Sequence, residues 1–195
     1  MRTFISRILG RGGAGPADRL YDAIVAQARR RELYHDFGVP DTVDGRFEMI
    51  VLHGILLFDR LEGEGEPGSE IGQAVFDTMF ADLDASLREM GVGDLSVGRR
   101  IRTMAEAFYG RAAAYRKAFE DAGRDPGELR AALRRNVFAD CEPPPGALDA
   151  LADYVIRCRE VLAVQSLAAV AEGAIYFFDP AAPPVGEQHD GQGRQ

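Results

Sequence analysis

The chain is poor in the residues that staple or catalyse. Only two of its 195 residues are cysteine, Cys141 and Cys158, far apart and in no ligand or redox spacing. They read as reduced core thiols of a cytosolic protein. Three scattered histidines, His35, His53 and His189, form no metal-ligand pattern, so neither a metal nor another cofactor is expected. No apolar run approaches the roughly 18 residues that a membrane span needs. No apolar core of secretory length stands at the start, which points away from export. Strictly alternating apolar and polar runs are also missing, and with them the signal for β-strands. Lys117 is the only lysine among 23 basic residues, a bias of GC-rich coding rather than of chemistry.

What remains is apolar enough to fold. Hydrophobic residues make up 46% of the chain, sufficient for a core without disulfides or metal. A net charge of −8 argues against nucleic acid as a partner. Between residues 60 and 94 acids dominate; between 99 and 135 bases do. Two readings of this asymmetry stand side by side. Neighbouring antiparallel helices attract each other through these faces, or one face steers a partner by its field.

Helical periodicity runs through most of the sequence. Residues 17–31, 45–61, 70–90, 96–121, 125–137 and 146–173 each carry an apolar stripe or a cap suited to antiparallel packing. The most apolar is 45–61, where Phe47, Ile50, Val51, Ile55, Leu57, Phe58 and Leu61 go most of the way round, as in a central helix. Residues 62–69, rich in Gly and Glu, read as a polar loop with Ser69 capping the next helix. The expected architecture is an all-α, single-domain bundle of about six helices. It spans residues 16–178, between a basic amphipathic segment (1–15) and a disordered tail (179–195) whose Pro, Gly and charge leave little to bury.

Residues 89–111, EMGVGDLSVGRRIRTMAEAFYGR, form a glycine-rich turn followed by a helix with Arg99, Arg100 and Arg102 in its first turns. The helix macrodipole favours acids there, so the arginines call for a partner. Their alternatives are Asp77, Asp82 or Asp84 on the preceding helix, or another protein. Tyr109 lies about 100° round the helix from the stripe residue Phe108. Gly110 costs about 1 kcal/mol relative to alanine unless something packs closely there. The turn lacks the lysine and hydroxyl residue of a nucleotide loop. It reads instead as a C-cap at Gly91 followed by an N-cap at Asp94 or Ser96. His53, on the most apolar helix, is either a hydrogen-bonded core residue or an acid–base group paired with Asp77. In the first residues, Phe4, Ile5, Ile8 and Leu9 share a face beside Arg7, a pattern suited to an anionic bilayer surface or to docking on the domain.

Residues 89–111, FGVPDTVDGRFE at 37–48, His53 followed by LFDRL at 57–61, and FDTMFADLD at 76–84 occur in order. Together they resemble the ubiquinol–cytochrome c chaperone family, assembly factors of the respiratory cytochrome bc complex, over roughly residues 20–138. The resemblance implies a protein that is not an enzyme. It would bind newly made or immature cytochrome b, in some relatives with a second small assembly factor, and support assembly of ubiquinol–cytochrome c reductase. Peripheral contact with the inner membrane, from the cytoplasmic side, would suit that task. Under this reading the expected partner-binding residues are Arg99, Arg100, Arg102, Tyr109 and Arg111, with Asp82 and Asp94 as further candidates. Two other classes remain open: a helical adaptor for an unrelated protein, and a helical enzyme using His53 and Asp77.

Overall fold

Gly15 to Ala182 are described by a computed structural model. The basic segment bearing Phe4, Ile5, Arg7, Ile8 and Leu9, and the tail from residue 183, lie outside the described residues. Among those described there is no strand and no helix long and apolar enough to cross a membrane.

Helix α1 (Pro16–Ala28) starts with proline, whose missing N–H is harmless in a first turn. The Asp18 carboxylate accepts from the Gly15 amide at 3.1 Å. After the short α2 (Arg31–His35), the chain turns at Gly38, φ 68°. Helix α3 (Val43–Leu61) then begins, with the Thr42 hydroxyl accepting from the Gly45 amide. Eleven of its 19 residues are buried, and α1, α4 (Gly65–Glu89), α5 (Asp94–Phe119) and α7 (Ala147–Ala163) all pack on it. The expected central helix is therefore central. A short α6 (Gly127–Asn136) bridges α5 and α7. Among the described residues the six helices of ten or more residues match the expected bundle.

The boundaries differ from expectation in four places, the first being α1, which ends at Ala28 before a separate α2 rather than running to residue 31. Helix α4 starts at Gly65, so most of the presumed loop is its first turns. Pro67 sits where no intrahelical amide is needed. Ser69, expected as the cap, instead donates from its hydroxyl to the Gly65 carbonyl. Gly93 rather than Asp94 or Ser96 occupies the N-cap of α5. Gly91, φ 80°, does end α4, with Val92 N bonded to Leu87 O and Gly91 N to Arg88 O, a Schellman closure.

The largest departure is the last helix. Instead of running from 146 to 173, it stops at Ala163, and the five-residue α8 (Leu167–Ala171) follows, capped by Ser166. Gln165, placed by periodicity in the apolar stripe, is the buried hinge. Its Oε1 accepts from Tyr176 N at 3.0 Å, and its Nε2 donates to Tyr176 O at 2.8 Å and Val161 O at 3.0 Å. Gly173, φ 82°, turns the chain back where a Cβ would meet the Pro16 carbonyl at 2.9 Å. Residues 174–180 then run as a strap over the bundle. Gln27 donates to Phe178 O at 2.8 Å, Arg157 lies over the Phe178 ring, and Arg30 pairs with Asp179 at 2.6 Å. With Pro180 buried, the packed chain continues past Phe178.

Replacing Gln165 with leucine removes three buried hydrogen bonds and leaves the Tyr176 backbone groups unpaired. We expect about 1–3 kcal/mol of lost stability in denaturant unfolding. Faster amide exchange should follow, confined to residues around Tyr176.

Candidate partner-binding face

Helix α5 is long enough to bury one side and present the other. Val97, Phe108, Tyr115 and Ala118 are buried in the core. At 100° per residue, Gly98, Arg99, Arg102, Thr103, Glu106, Tyr109 and Gly110 fall together on the opposite side, and all are exposed. Arg100 is exposed as well. Among the described residues none of Arg99, Arg100 and Arg102 makes an ion pair.

The acids expected to neutralise them are engaged elsewhere. Asp77 accepts from Gln73 at 2.8 Å, Asp82 from the Tyr21 hydroxyl at 3.0 Å, and Asp84 from Arg88 at 2.6 Å. Asp94 also pairs with Arg88. The attraction between an acidic α4 and a basic α5 therefore does not operate through these arginines. Of the seven expected partner residues, three share the outward side, Arg99, Arg102 and Tyr109; Arg100 is exposed too but lies about 180° round the helix from Tyr109. Asp82 and Asp94 serve contacts within the domain.

Tyr109 is 61% exposed. It stacks on Phe76 at a centroid distance of 5.6 Å, and Phe76 stacks on Phe80 at 4.4 Å and meets Phe108 edge-on at 5.5 Å. This column holds the ring in place while leaving it accessible. A Cβ on Gly110 or Gly98 would meet nothing within 4 Å, so no internal helix crossing explains either glycine.

Arg111 points the other way. Its Nε donates to Glu48 Oε2 at 2.7 Å and its Nη2 to Glu48 Oε1, a bidentate pair in which the Glu48 side chain is 8% exposed. Burial pushes the Glu48 carboxyl up, and Arg111 opposes that shift. The residue expected to meet a partner is thus committed to holding α5 against α3. An arginine three positions from a core phenylalanine carries no sequence mark of this role; the unpaired Glu48 on an apolar helix was the available signal.

His53 is fully buried. Its Nδ1–H donates to Met49 O at 2.7 Å, and its Nε2 accepts from the Tyr154 hydroxyl at 2.6 Å. Burial lowers its pKa from 6.5 to about 4, so the ring is neutral and packed, with Phe177 edge-on at 5.2 Å. Asp77 is exposed and bonded to Gln73. The expected acid–base pair does not form, which removes the basis of the enzyme reading. Cys158 is buried, its thiol pushed up to about 12 by desolvation, whereas Cys141 is exposed rather than in the core. Among the described residues no group of His, Cys, Asp and Glu is arranged to hold a metal ion.

The described residues thus form a helical bundle that presents arginine and tyrosine side chains on α5. Residues 35–177 match the model of the ubiquinol–cytochrome C chaperone family, and the chain belongs to that family, whose members are chaperones rather than enzymes. It is 39% identical to the Cbp3 homolog from Brucella abortus, whose crystal structure superposes with a TM-score of 0.76, covering 92% of this chain and 98% of that one. Ubiquinol–cytochrome c reductase complex assembly factor 1 of Xenopus laevis is 26% identical over 70% of this chain and 67% of its own length. The human counterpart is 28% identical over 70% of this chain and 45% of its own length. The match with the mouse protein, 26% identical over 74% of this chain, covers 48% of that protein. The chain thus spans about half the length of the two mammalian relatives.

The two buried polar sites make separable predictions. Because the His53 pKa is lower in the folded state, its neutral form stabilises the fold fully above pH 6.5. That contribution falls as pH drops towards 4, by roughly 3 kcal/mol in all. Urea unfolding between pH 7 and pH 4, in wild type and His53→Gln, should show this loss in wild type and a flatter dependence in the variant. Arg111→Ala leaves Glu48 buried without its cation and should cost about 3 kcal/mol. Arg99→Ala should leave the unfolding midpoint unchanged.

Proposed function

We propose that this chain is an assembly chaperone that binds newly made cytochrome b and supports assembly of ubiquinol–cytochrome c reductase. Family membership across residues 35–177 carries this reading, supported by the match to the Cbp3 homolog along nearly the whole chain. A binder of an immature subunit protects it in proportion to occupancy, and release during assembly favours moderate affinity set by the off-rate.

The contact we assign to Arg99, Arg102 and Tyr109 on the outward side of α5, with Arg100 exposed on another side of the same helix start. Arginines without a counter-ion among the described residues offer forked donors for carboxylates or for the free carbonyls at a partner's helix end. Tyr109 adds a rigid aromatic surface of the kind enriched at interfaces. Arg111 supports this face from beneath through Glu48. The work would be done at the cytoplasmic face of the inner membrane, where the basic segment 1–15 provides a second point of contact.

Exchanging charge on the face, Arg99→Glu with Arg102→Glu, should abolish co-purification of cytochrome b while leaving the melting temperature nearly unchanged. A large fall in melting temperature would assign these arginines to the fold. In a deletion strain, cytochrome b protein and haem absorbance should fall at constant transcript, and the wild-type chain should restore both. Unchanged cytochrome b would leave a helical adaptor for another partner as the better reading.

A further inference from the structure

A second positively charged feature lies away from α5, where the end of α1, α2 and the start of α3 converge. A groove of about 460 Å3 is lined by Arg29, Arg31, Tyr34, His35, Asp41 and Arg46. Three guanidiniums thus face a single lining carboxylate, in a chain whose net charge is −8. The scaffold is well held. The Tyr34 hydroxyl donates to Ala28 O at 2.6 Å, fastening α2 to the end of α1. Among the described residues Arg46 uses its Nε on Asp41, at 2.6 Å, and neither of its terminal amino groups is hydrogen-bonded.

Two neighbouring charged groups, Arg30 and Asp36, are engaged with other residues. Arg30, between Arg29 and Arg31, is held by Glu32 and Asp179 and does not line the groove. Asp36 is bonded to His35 at 2.6 Å on the rim. Arg31 makes no ion pair among the described residues. Arg29, the C-cap of α1, suits the negative end of that helix; Arg31 and Arg46 begin α2 and α3, where the dipole gives them no such reason.

We propose that this groove is a binding site for a phosphate group, held by the forked donors of Arg31 and Arg46 with Arg29 adding charge. Planar guanidinium donors match phosphate oxygens in pairs, and a concave wall strengthens the contact relative to an open surface. Asp41 limits the affinity by occupying Arg46 and by repelling the anion. The phosphate has two available sources, a lipid headgroup at a bilayer surface or a soluble phosphorylated compound. Val43, 77% exposed beside Asp41 and Arg46 in sequence, supplies an aliphatic contact of the kind used in bilayer interfaces. The site is separate from the α5 face and does not rest on the chaperone reading.

The test uses the full chain in two arms: calorimetric titration with inorganic phosphate and glycerol 3-phosphate, and co-sedimentation with vesicles. The vesicles are phosphatidylcholine alone, or phosphatidylcholine mixed with phosphatidylglycerol. Arg31→Gln with Arg46→Gln should weaken binding at least about tenfold in one arm or both. Asp41→Asn should tighten it in the same arm, a gain that a purely structural role would not produce. Loss confined to the vesicle arm assigns a lipid headgroup, and loss confined to the titration assigns a soluble compound. Any vesicle binding by residues 1–14 is common to all variants and cancels in the comparison. Should the double variant fail to fold, the gain in Asp41→Asn decides alone. A wild-type chain that binds neither phosphate nor anionic vesicles, or variants that bind as it does in both arms, would overturn the proposal.

Discussion

Helix α3 cannot exist in water as it stands: apolar on nearly every side, it must be enclosed. The rest of the bundle follows from that constraint. Helices α1, α4, α5 and α7 each bring a stripe to one of its sides. Two polar groups are enclosed with it, Glu48 and His53, and each demands a partner from another helix. Glu48 draws Arg111 inward from α5; His53 draws the Tyr154 hydroxyl from α7. Tyr154 in turn accepts from Gln27, which also donates to Phe178 O. A hydrogen-bonded line therefore runs from the centre of the molecule through α7 and α1 to the strap. Such buried contacts specify one packing among many, since a mispaired arrangement would strand a polar group in the core.

This interior arrangement decides what the outside has to offer. With Arg111 turned inward and Asp77, Asp82 and Asp84 of α4 bonded to Gln73, Tyr21 and Arg88, Arg99, Arg100 and Arg102 are left on α5 without internal counter-ions among the described residues. The aromatic column beneath Tyr109 keeps a large ring exposed in a fixed orientation. A chaperone needs a surface that is ordered before the client arrives, because ordering on contact subtracts from affinity. The α5 face has that property, and the groove at the start of α3 shares it through the Tyr34–Ala28 clamp.

The elements that local pattern could reveal were legible. Six long helices, the centrality of α3 and the glycine stop at Gly91 follow from periodicity and short-range chemistry, while the family was legible through the resemblance of its ordered motifs. Gln165 shows where such reasoning stops. A glutamine at a stripe position reads as one more turn of helix, and only its contacts with Tyr176, eleven residues on, reveal a hinge. Residues 65–69 mislead in the opposite sense: Gly, Glu and Pro look like a loop, yet a first helical turn accepts them because its amides need no partners.

The amino-acid sequence by itself determined the helical class, the enclosed helix and the presence of an arginine cluster, each of which depends on residue type at short spacing; the family came from the resemblance of its ordered motifs. Tertiary structure alone decided which arginine is structural and which are presented, because that turns on whether a carboxylate stands within about 3 Å across a helix interface. It separated Arg111 from Arg99 and Arg102, and His53 from Asp77. It also gathered Arg29, Arg31 and Arg46 around one groove from the ends of three different helices. Charges that are remote or merely adjacent in a linear chain acquire their chemistry from the distances and burial that folding imposes.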